Sequence, residues 1–172
     1  MAEVNKAGEA FGIALTAARY LLAERMATRV KNSESIVGDM ASFMIADVLD
    51  GVILRKFDLD TPARRKADGL TDYVSIARVA NEVYENNESS RPYILLLAAR
   101  AAFVGMLNAK HIAETGRVTH GLKYQKVTTV GMAAFGVIAA TGNKKATNIV
   151  GAVVSGVAVV TALAHAKELG EG

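Results

Sequence analysis

The chain has no cysteine and no tryptophan, and only two prolines and three histidines among its 172 residues. Without cysteine there is no disulfide, zinc–thiolate centre, iron–sulfur cluster or thiol nucleophile. His111, His120 and His165 are scattered, which argues against a histidine-rich metal site. Scarce proline, aromatics at 6%, and abundant alanine and valine point away from a sandwich or barrel and toward helices. No basic helix with interleaved aromatics is present, so the net charge of +3 does not mark a nucleic-acid binder, and no nucleic-acid partner is expected. The opening stretch, MAEVNKAGEA, mixes acidic and basic residues and is unlike a cleavable signal peptide. A chain of this length is most simply one domain, 1–172, with one substantial core.

What the chain does have is apolar length. Residues 146–166 carry no acidic residue, lysine or arginine over 21 positions, about what a bilayer crossing needs. Residues 127–143 form another uncharged run of 17, and 92–109 contain only Arg100. These three read as membrane spans. Three further apolar segments, roughly 10–30, 35–55 and 68–84, are interrupted by charge, including Asp39, Asp47, Asp50, Asp72 and Arg78. Hydropathy alone does not make them spans, but an ionisable group at membrane depth is costly unless it faces a bundle interior or an aqueous cavity. The expectation is an all-α polytopic membrane protein, a bundle of six transmembrane helices.

Loop charge orients such a bundle. With six crossings, 55–67 and 110–126 share a face and hold nine cations (Arg55, Lys56, Arg64, Arg65, Lys66, Lys110, Arg117, Lys123 and Lys126). The opposite loops hold five: Arg29, Lys31, Arg91, Lys144 and Lys145. By the positive-inside rule the first face and both termini are cytoplasmic, in a cytoplasmic (inner) membrane.

The chemistry lies in DVLDGVILRKFDLDTPARRKADGLTD, Asp47 to Asp72. Asp47 and Asp50 are three apart, Asp68 and Asp72 four apart, so each pair shares one face of a helix. Four carboxylates brought together repel one another, and divalent cations relieve that repulsion. Oxygen-only ligands suit hard ions such as Mg²⁺ or Mn²⁺. Two such ions bridging a diphosphate are a standard means of stabilising phosphoryl transfer. Gly51, with no side chain, lets a ligand approach the backbone beside Asp50. An EF-hand does not fit, because DLDTPARRKADG lacks the central glycine and terminal glutamate.

The segment resembles the signature of the CDP-alcohol phosphatidyltransferases: Asp, two residues, Asp-Gly, two residues, Ala-Arg, eight residues, Gly, three residues, Asp, three residues, Asp. Here the positions are Asp47, Asp50, Gly51, Leu54, Arg55, Arg64, Asp68 and Asp72. Every spacing is met, and Leu54 and Arg64 depart from alanine and glycine. Leu54 is a change of size at an apolar position. Arg64 either crowds a metal site or swings outward toward an acidic phospholipid. Outside the signature, LTAARYLLA is similar to the family's first-helix pattern through Thr16 and Arg19, with Ile13 where asparagine is usual. GLKYQKVTT is similar to the stretch before its fifth helix, through Lys126 and Thr129, and Thr61 also falls in place.

The resemblance implies a six-helix membrane enzyme that moves a phosphatidyl group from CDP-diacylglycerol to an alcohol and releases CMP. It implies that Asp47, Asp50, Asp68 and Asp72 hold two ions, Mg²⁺ or Mn²⁺, and that Asp72 is also the catalytic base. Gly51, Arg55, Thr61, Thr16 and Arg19 would meet the nucleotide and diphosphate, and Lys123 and Lys126 the acceptor or a phosphate. A homodimer is implied as well. Glycerol 3-phosphate is the first acceptor to consider; inositol phosphate, another alcohol, or a non-catalytic relative of the family stand as alternatives. A soluble bundle with a carboxylate metal site is a third class, but such sites usually carry a Glu-x-x-His pair, and none is present.

Overall fold

Alanine, leucine, methionine and long charged residues give the chain high helix propensity, and its two prolines, Pro62 and Pro92, fall in first helical turns. A computed structural model describes the backbone of residues 2–56, 62–116 and 123–170, and the side chains of 10–53, 56, 70–116 and 127–169. Among these are six α-helices and no strand: α1 Ala2–Lys31, α2 Val37–Lys56, α3 Pro62–Asn86, α4 Arg91–Thr115, α5 Lys123–Ala140 and α6 Lys144–Gly170. A 3-10 turn, Glu88–Ser90, precedes α4. The expected all-α class and helix number are present.

The helices run longer than the apolar segments that mark them. α1 starts at Ala2 because polar residues such as Glu3 and Lys6 are good helix formers whatever their hydropathy. α3 starts at Pro62, which suits a first helical turn because it has no N–H to leave unpaired. α5 stops at Ala140, short of the expected 143, where Gly142 takes φ +70° and donates its N–H to Ala139 O at 3.1 Å. Gly116 likewise closes α4 at φ +67°. Asn143 then opens α6, its side chain accepting the Ala146 N–H at 3.0 Å. Among the described residues, two helices are long and apolar enough to cross a membrane, over Glu88–Thr115 and Lys144–Leu169. The apolar part of α5, Val127–Ala140, is shorter.

The helices form two compact units, 1–86 and 87–172. In the first, α1 packs on both α2 and α3. Ala23 and Ala27 on α1 are fully buried, and such small residues allow the close backbone approach common among membrane helices. Val79 and Val83 of α3 complete that seam. Asp39 near the start of α2 meets Arg25 and Arg29 of α1 at 3.3 and 3.2 Å, tying down the turn around Ser33.

In the second unit, α6 packs on α4 and on α5. The Tyr93 ring lies against the α6 backbone at Gly151 and edge-on to Phe135, with centroids 5.9 Å apart. Asn87 donates to Ala139 O at 2.8 Å and to Thr147 Oγ1 at 3.3 Å, while its Oδ1 accepts the Ser89 N–H. Thr128 and Thr161 share a hydrogen bond of 3.0 Å, and His165 pairs with Asn108 at 2.6 Å.

Alongside the apolar core, polar groups are buried and large apolar side chains exposed. Arg19, Asp50, Ser75, Thr128, Thr147 and His165 are buried, whereas Leu21, Ile45, Val48, Leu70, Val153, Val160 and Leu163 are exposed. Exposed apolar surface on this scale is what contact with hydrocarbon requires.

Candidate active site

Asp47 and Asp50 occupy one face of α2 near its C-terminal end, with Gly51 beside them and half-buried. Asp72 stands on the third turn of α3, ten residues after Pro62. Arg19 projects from the apolar middle of α1 and is 1% exposed. These four side chains meet. Arg19 Nη1 donates to Asp47 Oδ1 at 2.6 Å and lies 3.2 Å from Asp72 Oδ1, and Nη2 reaches Asp50 Oδ2 at 3.3 Å. Three carboxylates from two helices thus converge on one guanidinium from a third.

The three acids differ in burial. The Asp50 side chain is 2% exposed, Asp72 32% and Asp47 54%. One turn further along α3, Ser75 is buried, with its hydroxyl oxygen unpartnered among the described residues. Further still, Arg78 bonds Glu24 of α1 at 3.3 Å and Glu82 of its own helix. The ion pairs at Arg78 and Asp39 are separate from the aspartate cluster, since none of their partners is Asp47, Asp50 or Asp72.

The remaining sequence candidates are placed less fully. Thr16 lies on α1 three residues before Arg19, so both share a face, and it is half-buried. Arg55 and Asp68 sit on the α2 and α3 backbones, and Lys123 and Lys126 on the first turn of α5, but their side chains lie outside the described residues. Thr61 lies outside them altogether.

The spacing of the aspartates anticipates their meeting, but not that Arg19 is their common partner. The sequence signal was a lone cation in the apolar run FGIALTAARYLLA, which needs an acidic partner if it is buried. Ser75 was also overlooked; its helical register with Asp72, three residues before it, was the available clue.

The donor set suits a hard divalent cation. It is all oxygen, it is anionic, and its members already gather about one positive centre. Among the described residues no group of three or more histidines, aspartates or glutamates is close enough to form a finished metal cage. Here the carboxylates are spread around a planar guanidinium, which is wider than an ion.

The family model for the CDP-alcohol phosphatidyltransferases matches residues 12–164, a span that contains Thr16, Arg19 and all four signature aspartates. No curated protein and no solved structure matches the chain.

Proposed function

Because the chain belongs to the CDP-alcohol phosphatidyltransferases, a phosphotransferase family that uses CDP-alcohol substrates at lipid membranes, we propose that it transfers a phosphatidyl group from CDP-diacylglycerol to an alcohol and releases CMP. The observation that carries this reading is the convergence of Asp47, Asp50 and Asp72 on one buried cationic point. The family generally depends on divalent metal. Asp47, Asp50, Asp68 and Asp72 would hold two ions, Mg²⁺ or Mn²⁺, which when bound supply positive charge to the diphosphate as it cleaves.

The chain's own residues do the rest. Asp72, partly exposed, accepts the proton of the acceptor hydroxyl, whose oxygen forms a bond to the lipid-side phosphorus. The bond from that phosphorus to the bridging oxygen breaks, and CMP leaves with the electron pair. A carboxylate beside cations is a weak base, so Asp72 acts through position more than basicity. Gly51 leaves room for the nucleotide at the α2 backbone, with Arg55, Thr16 and Thr61 around its phosphates. Lys123 and Lys126 bind the acceptor or its phosphate.

The proposal includes six membrane crossings, with the site and both termini at the cytoplasmic face of the inner membrane, in a homodimer. The apolar exposure of Ile45, Val48 and Leu70 on the charge-bearing helices α2 and α3 supports crossings beyond the two apolar helices. The test is CMP release from CDP-diacylglycerol by detergent-purified protein, across glycerol 3-phosphate, inositol phosphate, serine and phosphatidylglycerol. Glycerol 3-phosphate is the expected acceptor, giving phosphatidylglycerol phosphate; release with a different alcohol reassigns it. No release with any acceptor favours a non-catalytic relative, and Arg64→Gly then asks whether the arginine blocks the site.

A further inference from the structure

Arg19 has three acids within reach: Asp47 at 2.6 Å, Asp72 at 3.2 Å and Asp50 at 3.3 Å, and it is 1% exposed. A guanidinium is a fixed positive charge. Among the described residues one positive charge meets three carboxylates, and further cations relieve the negative charge that remains. The atoms that Arg19 touches, Asp47 Oδ1, Asp50 Oδ2 and Asp72 Oδ1, belong to the residues the proposed function assigns to metal. A cation that takes those oxygens must displace N–H bonds from them and is repelled by the charge that remains.

We propose that Arg19 is the resident counter-cation of this site: it holds Asp47, Asp50 and Asp72 together in the metal-free protein and competes with divalent metal for the same oxygens. Its presence raises the metal concentration at which the site fills. A buried guanidinium displaced from carboxylates needs another anion, and the donor diphosphate is the one the reaction brings. Metal loading and donor binding are thereby linked through one side chain on α1. The inference rests on the proposed role of the aspartates as metal ligands.

The test is Mn²⁺ binding to the detergent-purified full chain without substrate, read from the electron paramagnetic resonance of free Mn²⁺. Wild type, Arg19→Gln, Arg19→Lys and Asp72→Asn are compared, with unfolding midpoints taken in chelator and in Mn²⁺. Arg19→Gln is expected to bind Mn²⁺ about tenfold more tightly, a typical size for coupling between two bound species. It should also unfold at a lower temperature in chelator, so that Mn²⁺ raises its midpoint more than that of wild type. Arg19→Lys, which keeps the charge but not the fork, falls between them. Equal or weaker binding by Arg19→Gln overturns the inference. Should that variant fail to fold, Arg19→Lys decides: tighter binding than wild type supports the competition, and unchanged or weaker binding overturns it. Wild-type binding that disappears in Asp72→Asn but does not tighten in either arginine variant sinks the counter-cation alone. Mn²⁺ binding that is absent, or identical in wild type and Asp72→Asn, removes the metal reading and this inference with it.

Discussion

Replacing Asp47, Asp50 and Asp72 one at a time by asparagine sets distance against burial. Asparagine keeps the shape and removes the charge. By distance, Asp47 is Arg19's strongest partner at 2.6 Å, and Asp50 its weakest at 3.3 Å. By burial the order reverses, because the Asp50 side chain is 2% exposed and that of Asp47 54%. A half-exposed ion pair is screened by water and contributes about 0–1 kcal/mol. Exchanging a buried charge-assisted bond for a neutral one, beside a guanidinium that stays charged, costs about 2 kcal/mol. At about 2–4 °C per kcal/mol for a chain of this size, Asp50→Asn should lower the unfolding midpoint by roughly 4–8 °C. Asp47→Asn should lower it by less than about 4 °C, with Asp72→Asn between them. Each substitution also eases repulsion within the trio, a gain common to all three, so the order is the quantity tested. The assay is thermal unfolding in detergent and chelator, where no metal contributes. If Asp47→Asn unfolds at the lowest temperature, distance outranks burial here and the reasoning fails.

Two further outcomes follow from the packing. A Cβ at Gly151 would lie 2.5 Å from Tyr93 Cδ2, so Gly151→Ala should destabilise by about 1–3 kcal/mol despite alanine's better helix propensity. Pairing it with Tyr93→Ala should show a favourable coupling, and simple additivity in melting experiments would contradict the contact. The exposed apolar faces predict that the chain stays in the membrane pellet after alkaline washing and needs detergent for release. Recovery in the supernatant would return it to the class of soluble bundles.

The parts of this molecule legible in the sequence are those set by local spacing. The uncharged run 146–166 marks α6, and 92–109 marks α4, because length and the lack of charge are sufficient there. Asp47 and Asp50 share a face by helical period alone, whereas Asp72 joins them only because α2 and α3 both pack on α1. Arg19 was legible as a buried cation in want of an acid. That it would meet three depends on packing between residues 28, 31 and 53 positions apart in the chain, which no local pattern encodes. Arg78 was open to the same expectation of an acidic partner and finds it in Glu24 and Glu82. Helix ends were the least legible. α1 extends to Ala2 through residues whose hydropathy is polar but whose backbone preference is helical, and the stop of α5 depends on the left-handed conformation of Gly142.

The most direct test of the central claim is CMP release from CDP-diacylglycerol with the preferred acceptor, measured for wild type and Asp72→Asn with Mn²⁺ and in chelator. The account predicts release by wild type that requires the metal. It predicts a loss of about 10²–10⁴-fold in Asp72→Asn, the usual contribution of a positioned proton acceptor, in protein that still folds. Release that persists in chelator, or that Asp72→Asn leaves unchanged, would contradict it.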